Sequence, residues 1–415
     1  MHAALLRHAE AVLGELLAFA APADQVVSRY FRAHPALGQR DRAFIAETTF
    51  AVLRRKRSLE AAAGSAQPRA LLIAALVRIQ GFSLRALGDR LLPGDRATAE
   101  RARGARPEAL GDAVRADLPD WLWARLVDAH GADEALRIAQ GLLNPAPLDL
   151  RVNLAKIDRE AALARLAQDG IEAQATAHSP AGIRLAAKPA INRHPLFLQG
   201  ALEVQDEGSQ LLAYLLAPRR REMVADYCAG AGGKTLALAM LMRGTGRVYA
   251  MDVSARRLAA LAPRAARAGV SNVHTIALSG ASDARARRLA GKIDRVLVDA
   301  PCSGFGTLRR NPDLKWRHDA DAVAQLAEKQ ARILAAAARL VKPGGRLVYA
   351  TCSILHDENE AVVGRFLGEA AGFAARSCGA LLAAQRIALD TGPRLRLWPH
   401  LHGTDGFFAA AFERA

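Results

Sequence analysis

The four cysteines Cys228, Cys302, Cys352 and Cys378 lie far apart and form no Cys-x-x-Cys pair. That spacing argues against a zinc motif or a disulfide framework and suits reduced, intracellular thiols. Two of them share a setting. Asp299-Ala300-Pro301-Cys302-Ser303-Gly304 follows an apolar run ending at Asp299, and Ala350-Thr351-Cys352-Ser353 closes another run from Arg346 to Thr351. A lone buried cysteine is usually a small apolar side chain. Two Cys-Ser pairs at strand ends, one beside an acid, call for chemistry instead. A thiolate is a potent nucleophile that can later leave. Carbon 5 of cytosine is too weak a nucleophile to take a methyl group from a sulfonium. A thiolate adding at carbon 6 turns the ring into an enamine-like species whose carbon 5 can attack. The ring gains electron density on addition, so a carboxyl group near its N3 edge stabilises the adduct, and Asp299 is the candidate. A second thiol or another base then helps to remove the carbon-5 proton and release the enzyme. Residue type and position leave Cys302 and Cys352 as equal candidates for the nucleophile.

A second constellation suits a nucleoside-bearing ligand. Asp226-Tyr227-Cys228-Ala229-Gly230-Ala231-Gly232-Gly233-Lys234-Thr235 closes one strand and opens a helix. Its small residues admit close backbone approach, and the helix start offers unpaired N–H groups. Asp252 ends the next strand, where an acid can accept from both hydroxyls of an adenosine ribose. A dinucleotide site wants glycine where Thr235 stands, and a P-loop wants glycine where Cys228 stands. A methyltransferase needs only a short glycine loop, because its ligand has no phosphate to cradle. The segment favours that reading, but it does not decide among methyltransferase, ATPase and dehydrogenase.

Strands must hold these loops at one edge. The apolar runs Met223 to Tyr227, Arg247 to Asp252, Val273 to Ala277, Ile293 to Asp299 and Arg346 to Thr351 alternate with helical patterns. Those patterns cover Lys234 to Met242, Ala255 to Ala268, Asp321 to Leu340 and Glu358 to Ala370. Such alternation predicts a Rossmann-like parallel sheet whose ligands bind beyond the carboxyl ends of the strands. Residues 142–199 predict a small α+β part, with strands near Leu148 to Asn153, Ile171 to Thr176 and Gly182 to Leu185. Its helix runs from Asp158, as N-cap, to Gln168 and stops at Gly170. Residues 1–141 show helical periodicity throughout, including Asp41 to Leu59, Ala70 to Gln80 and Asp120 to His130.

The 415 residues carry 57 Lys and Arg against 41 Asp and Glu, a formal net charge of +16, and are 51% hydrophobic. That is a multidomain globular chain suited to a polyanionic partner. The basic run Arg54-Arg55-Lys56-Arg57 is as consistent with a solvated face as with RNA contact. Arg309, Arg310 and Lys315 are expected to face phosphates, and Trp316 either to stack on a base or to pack. Arg219-Arg220-Arg221 reads as a domain-joining surface. No run is long and apolar enough to span a bilayer, and Arg7, His8, Glu10 and Glu15 interrupt any leader pattern. The expectation is a cytoplasmic monomer without membrane contact or a metal.

The motifs together resemble the Sun/Nop-type RNA cytosine-5 methyltransferases, and within them the bacterial RsmB-like ribosomal RNA enzymes. The resemblance rests on Gln205-Asp206-Glu207-Gly208-Ser209-Gln210, the Cys228 to Thr235 loop and the Pro-Cys and Thr-Cys loops. Arg309-Arg310-Asn311-Pro312-Asp313 and Asp405-Gly406-Phe407-Phe408 add to it. Gly38-Gln39-Arg40-Asp41-Arg42-Ala43-Phe44-Ile45, leading to Val52-Leu53-Arg54, is similar to the NusB-like domain of that subgroup. The resemblance implies an α/β Rossmann-like class I methyltransferase domain over 200–415, an all-α NusB-like RNA-binding domain over 1–141 and a small α+β RNA-recognition insert over 142–199. It implies methylation of cytosine carbon 5 in RNA, foremost small-subunit (16S) ribosomal RNA or a small-subunit precursor, with S-adenosyl-L-methionine. The rivals are tRNA or DNA as substrate, or a catalytically silent ribosome assembly factor.

Carried over by position, Cys352 is the nucleophile and Cys302 the cysteine assisting release. Cys228, Ala229, Gly230, Ala231, Gly232, Gly233 and Lys234 hold the methionine part of the cofactor, and Asp252 its ribose. Asp283 lies near the adenine, and Asp299 between cofactor and base. DNA cytosine-5 methyltransferases attack with the Pro-Cys thiol, so the choice of Cys352 rests on the resemblance to the RNA family. The family usually carries Ala-Pro where this chain has Gly230-Ala231, so a looser loop and somewhat weaker cofactor binding are expected, with function kept. Ser279-Gly280-Ala281-Ser282-Asp283 departs further from the family pattern.

Overall fold

The computed structural model describes residues 3–88, 91–106, 110–280 and 283–415. Residues 1 and 2 of the expected helical domain, and Ala281 and Ser282 beside Asp283, lie outside the described residues. The chain forms two compact units, Met1–Pro145 with Thr307–Ala320, and Ala146–Gly306 with Asp321–Ala415.

The first unit is helical, and no strand occurs among its described residues. Helices Ala3–Leu17, Gln39–Arg54 and Pro68–Arg78 enclose a core that includes Leu6, Leu13, Ile45, Leu53, Leu71 and Leu72. The helix expected from Asp41 to Leu59 is two, Gln39–Arg54 and Lys56–Ala63, with Arg55 out of helical geometry at φ −121° and ψ 33°. The break leaves carbonyls at the end of the first helix without intrahelical partners. Residues from Thr307–Ala320 satisfy them. Lys315 Nζ donates to Arg54 O over 2.7 Å, and Trp316 Nε1 donates to Leu53 O over 2.9 Å. Arg54 in turn donates to Arg309 O over 3.1 Å, and Asp313 accepts from Ala23 N–H over 3.2 Å. This corrects the expectation that Arg309 and Lys315 face phosphates. They are only 7% and 2% exposed, because a helix end claims this segment as its cap. Trp316 packs, with its ring centroid 6.4 Å from that of Phe19.

The second unit holds two sheets. The smaller contains β1 (Leu148–Val152), β2 (Ala173–Ala175), β3 (Gly182–Leu185) and β4 (Leu202–Val204), in the order β2-β3-β1-β4. The larger contains β5 (Met223–Asp226), β6 (Arg247–Asp252), β7 (Val273–Ala277), β8 (Ile293–Asp299), β9 (Val341–Thr351), β10 (Phe373–Arg376), β11 (Leu395–Leu397) and β12 (Phe407–Arg414). Its order is β10-β12-β9-β8-β5-β6-β7, with β11 paired to β12. Strands β5 to β9 are the five parallel strands expected, and the antiparallel β10 to β12 extend the sheet beyond β9.

Three departures have local causes. The expected helix from Ala255 to Ala268 is two, Ala255–Ala259 and Leu261–Ala268, since Pro263 has no N–H for the carbonyl of Ala259. Strand β9 begins five residues before Arg346, with an irregular register against β8 that absorbs Pro343-Gly344-Gly345. Strand β12 is an unbroken buried run from Phe407 to Phe412, because it lies between β9 and β10 with both faces covered. Arg219-Arg220-Arg221 precedes β5, at the end of the parallel strands remote from the cysteine loops.

Candidate active site

Strands β8 and β9 are parallel neighbours with Asp299 paired to Ala350, and Ala300 N–H donates to Ala350 O over 2.8 Å. That register carries the Pro-Cys and Thr-Cys loops off the sheet side by side. Cys302 Sγ and Cys352 Sγ end 3.4 Å apart, both free and half-buried. The hydrogen bond to Cys352 and burial hold the Cys302 thiol well above its usual range, with the charges of Glu358 and Asp299 adding to the effect. Cys378 is buried beneath β12, its Sγ 3.6 Å from Ala409 O.

Cys302, Cys352, Asp299, Asp252 and Cys228 line one cavity of about 610 Å³. Asp299 points one oxygen at Lys234, whose Nζ donates to Oδ2 over 2.6 Å. Burial opposes the Lys234 charge, but the Asp299 carboxylate outweighs it and holds the ammonium above its usual range. The Phe407 ring lies beside the same ammonium, 5.8 Å from centroid to Nζ. Below them Asp226 is fully buried, accepts from Thr235 Oγ over 2.7 Å and has no partner at Oδ1 among the described residues. Burial, and then the nearby Asp299 charge, push its carboxyl up to about 7. Burial likewise pushes the Cys228 thiol up, so it sits in the loop as an uncharged group.

The glycine loop is fixed by backbone geometry and by groups from outside it. Gly230 adopts φ 55° and Gly232 φ 86°, which side chains strain to adopt. A Cβ at Gly230 would collide with Arg257 and one at Gly232 with Leu261. Gly230 N–H donates to Asp252 Oδ2 and Ser254 N–H to Asp252 Oδ1, each over 2.8 Å. Each Asp252 oxygen keeps lone-pair capacity toward the cavity. Arg264 donates to Ala231 O over 2.6 Å, and Arg151 of β1 donates to Gly233 O over 2.8 Å. Burial brings the Arg151 guanidinium down to about 9.

Asp283 is placed differently. Its carboxylate accepts from Ser279 N–H at 2.8 Å and Arg285 N–H at 2.7 Å, and it is not among the cavity's lining residues. Gly280, Leu278 and Val253 form that wall, faced by Ile333, Lys329 and Arg332 of helix Ala320–Ala338. The Gln205 to Gln210 and Asp405 to Phe408 motifs meet behind Lys234, where Asp405 N–H donates to Asp206 Oδ1 over 3.1 Å.

Sequence reasoning missed Arg151, Arg264 and Glu358. Glu358 is 0% exposed, and its carboxylate accepts from Ser303 N–H, Ser303 Oγ, Ser353 Oγ and Gln330 Nε2. The signals available were the serine after each cysteine and an acid six residues past Cys352, but only the fold brings them together.

A family model for 16S rRNA methyltransferase RsmB/F matches residues 213–413, and one for its ferredoxin-like domain matches residues 118–192. The probable ribosomal RNA small subunit methyltransferase B of Bacillus subtilis is 36% identical over 71% of this chain and 66% of its own length. The ribosomal RNA small subunit methyltransferase B of Sodalis glossinidius is 40% identical over 74% of this chain and 68% of its own length. The chain thus spans just under two thirds of the first relative and just over two thirds of the second. A solved methyltransferase homologue from Pyrococcus horikoshii superposes with a TM-score of 0.64 at 30% identity, covering 75% of this chain and all of that one. The chain belongs to the RsmB/F family of 16S rRNA methyltransferases.

Proposed function

We propose that this chain methylates carbon 5 of a cytosine in small-subunit ribosomal RNA, with S-adenosyl-L-methionine as donor, Cys352 as nucleophile and Cys302 assisting release. The observation that carries the reading is the pair of thiols 3.4 Å apart on the wall of a cavity that Asp299 and Asp252 also line. The residues fit the donor. A cavity of about 610 Å³ has room for a nucleoside-sized ligand. Asp252 would accept from the ribose hydroxyls, Val253, Leu278 and Ile333 offer apolar walls to the adenine, and the Cys228 to Lys234 loop would hold the methionine part. Asp283 would act on the adenine end through the Ser279-Gly280 turn that it braces. Bound there, the donor would supply an electrophilic methyl group.

The chain's own residues do the rest. Cys352 attacks carbon 6 of a cytosine displaced from its stack, forming the carbon–sulfur bond and leaving carbon 5 electron-rich. Density also accumulates at N3, which takes up from solvent a proton equivalent to the one the Cys352 thiol gives up, and the new N–H donates to the Asp299 carboxylate that Lys234 fixes. Once carbon 5 carries the methyl group, its proton passes to solvent, the Cys352 sulfur departs from carbon 6 as a thiolate and N3 gives its proton back, which restores the aromatic ring. Cys302, kept as a thiol, carries its proton beside the departing sulfur. The helical part over 1–141, taken as NusB-like, and the α+β part over 142–199 would grip structured RNA.

The test is incubation of wild type, Cys302→Ala and Cys352→Ala with labelled S-adenosyl-L-methionine and unmodified small-subunit ribosomal RNA, followed by denaturing electrophoresis and nucleoside analysis. The reading expects 5-methylcytidine from wild type, a covalent protein–RNA species from Cys302→Ala and neither from Cys352→Ala. Cofactor binding without RNA labelling, on free RNA or on small-subunit particles, would overturn it; labelled tRNA or DNA would reassign the substrate.

A further inference from the structure

The proposed reaction gives the two thiols separate roles but does not say what holds them at 3.4 Å. The sheet register brings their loops abreast, yet both loops are irregular chain beyond the last paired residues. One side chain ties them together. Glu358 Oε1 accepts from Ser303 N–H over 2.8 Å and Gln330 Nε2 over 2.9 Å. Its Oε2 accepts from Ser303 Oγ over 2.5 Å and also from Ser353 Oγ. Ser303 and Ser353 are the residues that follow Cys302 and Cys352, and their hydroxyl oxygens are 3.3 Å apart. Gln330 also donates to Pro301 O over 3.0 Å, and Tyr349 OH donates to Glu358 O over 2.6 Å, so the acid is held as firmly as it holds.

We propose that Glu358 is a positioning residue, a buried carboxylate that spans the Pro-Cys and Thr-Cys loops and fixes the spacing of Cys302 and Cys352. A buried charge is costly unless its lone pairs are filled, and a core needing only stability does as well with apolar side chains. Here all four donors come from the two loops and the helix behind them. The arrangement requires an acceptor at both oxygens. A glutamine at 358 would turn an amide N–H₂ either on Ser303 N–H and Gln330, which are donors, or on the two hydroxyls that now donate. The carboxylate also reaches the thiols by its charge. After the hydrogen bond to Cys352 and burial, it helps keep the proton on Cys302.

The inference rests on the reading of Cys302 and Cys352 as a working pair, but its test needs neither RNA nor methyl transfer. Phenylarsine oxide condenses with two neighbouring thiols, its As=O oxygen leaving as water as two As–S bonds form. Wild-type protein should take up one equivalent and lose alkylation at both Cys302 and Cys352, read by mass spectrometry. Glu358→Gln should slow this double capture at least tenfold and move Cys302 alkylation to lower pH. Ser353→Ala, which removes one of the four bonds but no charge, should slow capture less and leave the alkylation pH in place. Should Glu358→Gln fail to fold by circular dichroism, Ser353→Ala carries the spacing test. Capture at the wild-type rate in whichever variant folds would overturn the proposal. Normal capture and spacing effects in a protein that methylates no RNA would sink the reaction and leave the positioning role standing.

Discussion

Lys234 Nζ lies 2.6 Å from Asp299 Oδ2, joining the helix that opens at the glycine loop to the acid that ends β8. Asp299 shares its cavity with both thiols, so the contact carries the ammonium's influence to the place where a base would react. A carboxylate held at one oxygen can present the other in a fixed direction, which is how preorganised groups act on developing charge.

Lys234→Met and Asp299→Asn should each lower the methylation rate by about 10²- to 10³-fold, the scale for losing one preorganised group. If the two residues act as a unit, the double variant should be little worse than either single one. Single-turnover rates of the four proteins with saturating cofactor complete the cycle, and multiplicative losses would mean independent roles.

Asp226 gives a pH signature. Its folded-state pKa of about 7 lies above the ordinary aspartate value, so the folded protein holds the proton more tightly than the unfolded chain. The stability from this group is fully present below the unfolded value, near 4. It is lost as pH rises to about 7 and is then constant. Asp226→Asn removes the titration. The melting temperature of the variant minus that of wild type should therefore grow more positive from pH 5 to pH 8. A difference that stays flat would show that Asp226 titrates normally.

Gly232 at φ 86° and Gly244 at φ 67° separate conformational strain from site geometry. An alanine at either position pays about 1–2 kcal/mol for the left-handed backbone. At Gly244 nothing among the described residues lies within 4 Å of the added carbon, whereas at Gly232, in the loop read as holding the cofactor, it runs into the buried Leu261. Gly244→Ala should lower stability and leave cofactor affinity within twofold. Gly232→Ala should also weaken cofactor binding by about tenfold, equal to about 1.4 kcal/mol. Titration calorimetry with S-adenosyl-L-methionine distinguishes the two.

Lys315 is buried against the end of helix Gln39–Arg54, and burial pulls its ammonium down to about 7. The unfolded chain then binds this proton more tightly, so the buried charge is fully costly below about 7. The cost is relieved as pH rises toward the ordinary lysine value, near 10.4. Lys315→Met removes the charge but also the bond to Arg54 O. The melting temperature of the variant minus that of wild type should fall steadily from pH 7 to pH 10. A pH-independent difference would mean that the lysine titrates in the folded protein as it does in the unfolded chain.

Much of the chemistry was legible along the chain because each motif is local. The five strand ends, the glycine loop, Asp252, Asp299 and the two Cys-Ser pairs are short runs whose residue types restrict what they can do. Parallel-sheet logic alone puts them at one edge. The family resemblance added the choice between two thiols that residue types could not make. Tertiary structure decided what depends on distant partners. The spacing of Cys302 and Cys352 comes from strand register and from Glu358, whose four donors are spread from Ser303 to Ser353. Arg309 and Lys315 read as surface charges until a helix end more than 260 residues earlier takes Lys315 and Trp316 as its cap. Asp283 reads as a ligand contact until its carboxylate is found bound to Ser279 and Arg285. A residue's type fixes what its side chain can donate or accept; only the fold determines which groups compete for it.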